Sequence, residues 1–241
     1  MKKLSYLLVA FLFALTLTVR GDASMEAVTQ AAAYSYFDPA TVDFKALLPD
    51  PPADGSAATK REIDLILQKQ AARTPEEVAR IKREVNLNVY LFDTVLGSWF
   101  TEKNLPATAA LFRKVDDNVR PVVDSAKKFW HRPRPFLQDK RVRPPIDPPK
   151  NGSYPSGHST VGYLDASILA QIEPDLKDKL LARGREIGDD RVIGGVHFPS
   201  DVKAGHILAT ALFAKLMASP AFQADLAKAK AEIAAGQFQH R

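Results

Sequence analysis

From Thr74 onward the apolar positions of this chain recur every three to four residues, the spacing of buried helix faces. Thr74 is placed to cap a helix, Pro75 suits its first position, and Glu77 completes a capping box. Val78, Ile81, Val85, Val89 and Phe92 then mark one face, which predicts a helix running to a stop at Gly97. Another helix is predicted after Pro106 from Leu111, Val115 and Val119, with Pro121 beginning or kinking the next piece toward Trp130. Prolines 133, 135, 144, 145, 148 and 149 forbid regular structure, so residues 133–154 read as a long irregular loop, and such loops inside compact domains commonly carry function. Further helices are predicted at about 156–172, 175–190, 200–218 and 220–235. Val161, Leu164, Ile168 and Ile172 give the first of these its core face, and Ser219 with Pro220 opens the last. No segment alternates as a half-buried strand does, and no internal repeat is visible, so the fold class is all-α, a compact helical bundle.

The N-terminal quarter departs from this pattern. Lys2 and Lys3 precede an uncharged, mostly apolar run from Leu4 to Val19, followed by small residues at Gly21 and Ala23. The run is shorter than the roughly 20 residues that span a bilayer, so residues 1–23 read as a cleaved signal peptide, and the mature protein as periplasmic or secreted with no stable membrane association. Residues 24–59 carry Tyr34, Tyr36, Phe37 and Phe44 among Pro39, Pro49, Pro51, Pro52 and Gly55 with no sustained period, which predicts an irregular arm packed across the body. Residues 60–241 form the helical domain.

Composition narrows the chemistry. A chain of 241 residues with 46% hydrophobic and 25% charged positions is built for one core. It has no cysteine, which excludes disulfides, thiolate metal sites and a cysteine nucleophile together. The formal charge of +5 includes Lys2, Lys3 and Arg20 of the leader. So mild an excess argues against nucleic acid as a partner and fits cations gathered around a small anionic substrate.

Those cations fall into three clusters. Lys127 and Arg134-Pro135 form the first, Pro155-Ser156-Gly157-His158 the second, and Arg191 with His197 and Asp201 the third. Hydrolysis of a phosphoester needs the charge on three oxygens neutralised, an in-line nucleophile and a proton for the leaving oxygen. Lys127, Arg134 and Arg191 can meet the first need, arginine with a fork that engages two oxygens and lysine as a point charge. Ser156 is a natural N-cap of the following helix, leaving the N–H groups of Gly157 and His158 free to face an anion. Asp201, four residues after His197, can accept one ring N–H and leave the other nitrogen free to attack phosphorus. Each cluster alone also admits a plainer reading, as solvated cations, a capped helix with a surface histidine, or a structural hydrogen bond. His131, beside Trp130, is placed as a candidate for the site entrance, while His206 and His240 carry less weight. No spacing of the H-E-x-x-H kind occurs, so no metal and no cofactor is expected.

Taken together the clusters resemble the tripartite signature of the type 2 phosphatidic acid phosphatase superfamily: Lys, six residues, Arg-Pro; then Pro-Ser-Gly-His; then Ser-Arg, five residues, His, three residues, Asp. Leu47-Leu48-Pro49 to Gly55-Ser56, Asn151-Gly152-Ser153-Tyr154 and Ser200-Asp201-Val202 further resemble the bacterial class A nonspecific acid phosphatases, relatives of the vanadium haloperoxidases. The resemblance implies a secreted helical bundle of that type that hydrolyses small phosphomonoesters without metal through a phosphohistidine. It implies His197 as nucleophile, Asp201 as its orienter, and His158 as the general acid that later activates water. Lys127, Arg134, Ser156, Gly157 and Arg191 would hold the phosphoryl oxygens, and a homodimer or higher homo-oligomer is implied. Asp190 stands where the signature has Ser, and can pair with Arg191 or, facing the pocket, repel a dianion. Phe129, Trp130 and His131 are expected to tune leaving-group preference. A histidine with an ordinary pKa of about 6.5 as proton donor predicts activity at mildly acid pH. The competing readings are a vanadate-dependent haloperoxidase and a phosphate-binding protein without catalysis.

Overall fold

The first-turn N–H groups of a helix need outside acceptors, and several helices here take them from a side chain at the position the sequence marks. The computed structural model describes residues 36–239. Helix α1, Ala57–Ala72, starts on Ser56, whose hydroxyl accepts from the Thr59 N–H at 3.2 Å. Helix α2, Pro75–Arg83, starts on the predicted reciprocal pair of Thr74 and Glu77. The long α3, Pro106–Trp130, takes its acceptor from across the molecule, where Glu232 accepts from the N–H groups of Ala107 and Thr108 at 2.8 and 2.7 Å. Then come α4, Gly157–Ile172, capped by Ser156, α5, Lys177–Ile193, α6, Pro199–Met217, and α7, Pro220–Gln239. Among the described residues regular structure is entirely helical, the all-α class expected.

Small residues bring the central helices together. A Cβ placed on Gly184 of α5 would lie 2.6 Å from the Ala166 methyl and 2.8 Å from the Gly162 carbonyl of α4, so the two backbones are nearly in contact. Leu164, Ile168, Leu169, Ile187, Leu208 and Leu212 fill the shared core of α4, α5 and α6, while Val115 and Val119 of α3 meet Phe222 and Ile233 of α7 in the same cluster. A smaller cluster of Ile63, Ile66, Val142, Val192, Phe198 and Val202 ties α1 to α5 and α6. Among the described residues no single helix is long and apolar enough to cross a membrane.

The structure differs from the predicted elements in four places. One is a helical turn at Pro135–Gln138 inside the stretch expected to be irregular, where Pro135 takes the first helical position, which needs no N–H. Helix α2 stops at Arg83, followed by turns at Val89–Phe92 and Asp93–Leu96. Local side-chain bonds compete with the helix there: Asn88 accepts from the Tyr90 N–H and donates to the Asn86 carbonyl. Helix α3 runs unbroken through Pro121. An internal proline costs about 3 kcal/mol, and burying the valines at 115, 119, 122 and 123, each worth roughly 1.5–3 kcal/mol, outweighs it. Helix α1 begins at Ala57, three residues before the expected start of the helical domain at residue 60. The described part of that arm lies on the body: Tyr36 packs edge-on against Phe222, and the Asn118 amide donates to the Phe37 carbonyl. The expected signal peptide, residues 1–23, lies outside the described residues.

Candidate active site

Three crossings of the bundle bring the clusters together. The N-terminus of α4 abuts that of α6, where the Ser156 N–H donates to the Asp201 carbonyl at 3.0 Å and a Cβ on Gly205 would lie 2.8 Å from the Ser156 carbonyl. The C-terminus of α5 turns back through Gly195 at φ +69°, a conformation that suits glycine, and the His197 N–H donates to the Arg191 carbonyl at 3.2 Å. Helix α3 ends on His131 in the left-handed region at φ 47°, which sends the Arg132-Pro133-Arg134 segment back beneath α6.

His197 is the centre of the arrangement. Its Nδ1 lies 3.3 Å from Asp201 Oδ2 and its Nε2 3.1 Å from an Arg134 nitrogen. A carboxylate only accepts and a guanidinium only donates, so Nδ1 carries the hydrogen and Nε2 presents its lone pair. Burial, then the Arg134 charge, pull this histidine well below its ordinary pKa and keep it neutral. Asp201 is fully buried and saturated: Oδ2 also accepts from Ser153 Oγ at 2.5 Å and the Phe198 N–H at 2.8 Å, and Oδ1 from Arg132 at 2.6 Å. Burial pushes its carboxyl up, but the bonds and charges of His197, Arg132 and Ser153 prevail and hold it at about 2. The bond to the Phe198 N–H makes Asp201 the capping group of α6 as well.

The predicted anion-binding cations are buried. Lys127 donates to the Gly152 carbonyl at 2.7 Å, and burial followed by the Arg134 charge lowers it to about 7. Arg134 donates to the Asn151 carbonyl and side chain at 2.9 and 2.7 Å and to the Val196 carbonyl at 2.7 Å. Arg191 pairs with Glu84 at 2.7 Å and keeps a buried Nε–H without a partner. Lys127, Gly157 and His158 line one cavity of about 180 Å³, walled by Leu87, Val123 and Val161 and rimmed by Arg120 and Asp124. His158 is held by a backbone carbonyl: its Nε2 donates to the Glu84 oxygen at 2.9 Å, which leaves Nδ1 to gain or give a proton. Burial first, then the Arg191 charge, drop its pKa to about 3. The ordinary value assumed from sequence does not hold, because this ring is buried and, beyond that, sits among cations.

Two further expectations are corrected. Asp190 neither pairs with Arg191 nor presents a charge to the pocket; fully buried, it takes a two-toothed bond from Arg80 of α2 at 2.6 and 2.8 Å. Phe129 and Trp130 face the N-terminal arm, Phe129 under the Lys45 ammonium and Trp130 edge-on to Tyr154 with its indole N–H on Asp50, and neither they nor the exposed His131 line the cavity. His206 packs against Tyr163, and His240 lies outside the described residues.

Sequence reasoning passed over Arg132, Glu62 and Glu84. Arg132 joins Asp201 to Glu62 of α1 at 2.6 and 3.0 Å, lies 3.9 Å over the Phe198 ring, and Glu62 in turn accepts from the Ser200 N–H and hydroxyl. The alternation Arg132-Pro133-Arg134-Pro135 was the available signal, since both arginines sit on a fixed backbone. Glu84 bridges Arg183 and Arg191 at 2.7 Å each, and no local pattern announces it.

Residues 118–223 match the description of the PAP2 superfamily. The chain is 35% identical over 209 residues to a non-specific acid phosphatase of Providencia stuartii, covering 80% of this chain and 82% of that protein. It is 32% identical over 202 residues to one of Salmonella typhimurium, covering 80% and 81%. An acid phosphatase of Zymomonas mobilis is 37% identical over 133 residues, 54% of this chain and 50% of that protein.

Proposed function

The chain belongs to the PAP2 superfamily, alongside bacterial non-specific acid phosphatases, and from that premise we propose that it hydrolyses small phosphate monoesters of broad specificity through a phosphohistidine on His197. One observation carries the reading. A buried imidazole is kept neutral, oriented through Nδ1 by Asp201, and touches a guanidinium with the nitrogen that attacks. A protein that only captured phosphate needs the cations but not this orientation.

The residues assign the steps. Lys127, Arg134 and Arg191, with the first-turn N–H groups beside Ser156 and Gly157, neutralise the phosphoryl oxygens, and the unpartnered Arg191 Nε–H gains an acceptor. His197 Nε2 forms the N–P bond as the P–O bond to the leaving alcohol breaks, and Asp201 stabilises the imidazolium that results. His158 Nδ1 protonates the leaving oxygen, then takes a proton from the water that cleaves the N–P bond, releasing inorganic phosphate. A ring that is neutral down to about pH 3 without ligand must acquire its proton with the substrate. A phosphomonoester loses its second proton near pH 6, so its monoanion carries one in, and its charge offsets the cations that depress His158. The acid preference then belongs to the enzyme and substrate together. No metal takes part in these steps. Export to the periplasm or medium follows from the leader at residues 1–23, and assembly into a homo-oligomer is part of the same reading.

The test is release of phosphate from p-nitrophenyl phosphate at pH 4–7 in EDTA, with rapid alkaline denaturing quench, which preserves an N–P bond, to trap phosphate on the protein. Activity and a label that His197→Ala abolishes are expected. No turnover, or activity lost in EDTA and restored only by zinc or magnesium, overturns it.

A further inference from the structure

A carboxylate buried without a partner is costly unless something neutralises it. Asp165 of α4 is 3% exposed, and among the described residues it receives no hydrogen bond and no ion pair. It lies on the wall of a cavity of about 180 Å³ bounded by α3, α4 and the turn at Val89–Phe92, separate from the cavity at His158. Seven residues separate Asp165 from His158 on one helix, about 10 Å at 1.5 Å per residue.

The other charges around this cavity are already committed. Glu102 and Arg113 pair with each other at 2.8 Å, and Asp116 pairs with Arg120 at 3.0 Å. The cation nearest to hand is therefore taken, and Asp165 feels chiefly the negative charge of Asp116. With burial as the larger cause, this pushes its carboxyl well up. A second polar group shares the condition: the Tyr90 hydroxyl, also on the cavity wall, is buried with no partner. The remaining walls come from Val89, Ala109 and Phe112, with Asn88, whose side-chain amide is engaged by the Tyr90 N–H and the Asn86 carbonyl.

We propose that this cavity is a second ligand site, taking a small organic ammonium ion whose nitrogen sits against Asp165. A primary ammonium group brings three N–H donors, enough for the Asp165 carboxylate and the Tyr90 oxygen, and a cation is favoured near the Tyr90 and Phe112 rings. The alkyl part lies against Val89 and Phe112. The volume is close to the roughly 150 Å³ of a cavity that holds benzene, so it suits a ligand of about six heavy atoms. A bare metal ion asks for several oxygen ligands in one place, and the described residues hold no group of three or more His, Cys, Asp or Glu so arranged.

The experiment is thermal unfolding of the whole enzyme with n-butylammonium chloride at tens of millimolar, against potassium chloride at equal ionic strength. A ligand that binds only the folded state raises Tm, and a rise of about 3 °C specific to the amine is expected. Asp165→Asn is expected to lose that rise while keeping activity on p-nitrophenyl phosphate, which reports that it is folded. Ala109→Leu, which narrows the cavity and leaves the carboxylate in place, is expected to lose it too and serves if Asp165→Asn does not fold. No rise in the unmodified enzyme overturns the proposal, as does an equal rise with potassium chloride or in both variants; a carboxyl that merely holds a proton gives the first of these results.

Discussion

The two histidines of the site are held in opposite ways. His197 is oriented by a carboxylate, and that carboxylate is itself pinned by Arg132, Ser153 and the Phe198 N–H. His158 is oriented by one backbone carbonyl, buried, and within reach of the positive charges of Arg191, Arg134 and Lys127. Both are neutral without ligand, but for different ends. In the proposed mechanism, the fixed negative charge beside His197 waits for the imidazolium that attack creates, and on the His158 side burial and the cations keep the proton off until an anion arrives. On that reading one side is organised by the protein alone and the other is completed by the substrate.

Breaking the first side should have the largest effect. His197→Ala is expected to lower kcat for p-nitrophenyl phosphate by at least about 10⁴-fold, the scale of losing a nucleophile. His158→Ala is expected to cost about 10²- to 10⁴-fold with alkyl phosphates and markedly less with p-nitrophenyl phosphate, whose leaving group needs little protonation. Equal losses with both substrates would remove His158 from the proton-donor role. Next, Arg132→Gln is expected to lower kcat on the order of 10-fold with KM little changed, and to destabilise the fold by roughly 3–5 kcal/mol, since it strands the buried Asp201 charge. A change confined to KM would show that Arg132 does not act through Asp201.

The difference also predicts a pH dependence of stability. His158 has a folded pKa of about 3 against about 6.5 unfolded, so the unfolded chain binds a proton first as pH falls. Its contribution is whole above 6.5 and is lost progressively toward 3, and that of Asp201, lowered to about 2, is lost between about 4 and 2. Tm of the ligand-free enzyme should therefore fall from pH 6.5 to 4, and inorganic phosphate should protect most at the acid end. A flat Tm over that range would contradict the depressed histidine. The smallest effect is expected for Glu84→Gln. Burial, then the Asp190 charge, push Glu84 up to about 7 while Arg191 and Arg183 oppose it. Its ionisation above neutrality strengthens its hold on Arg191, so the glutamine variant should carry activity to a pH about one unit higher in the kcat/KM profile.

Much of this site is legible along the chain because its parts are local. The small turn before α4, the His-Asp spacing and the Arg-Pro pairs are each set by neighbours within a few residues, and the capping box at Thr74 forms as read. The element that failed, a helix extended from α2 to Gly97, failed because apolar spacing alone does not register the Asn88 side chain bonding to the nearby backbone of Asn86 and Tyr90. Its early end is what sets the Glu84 carbonyl on His158.

By itself, then, the amino-acid order determined the helical class, most helix starts and which side chains were candidates to hold phosphate, since periodicity, capping and side-chain chemistry are short-range properties. Only the tertiary structure decided what surrounds them: Arg80 claiming Asp190, Glu62 and Arg132 steadying Asp201, Glu84 claiming Arg191, and cations drawing the proton from His158. Those pairings join residues as many as 110 positions apart. Their strength comes from burial in a low-dielectric interior, which exists only once the helices have met.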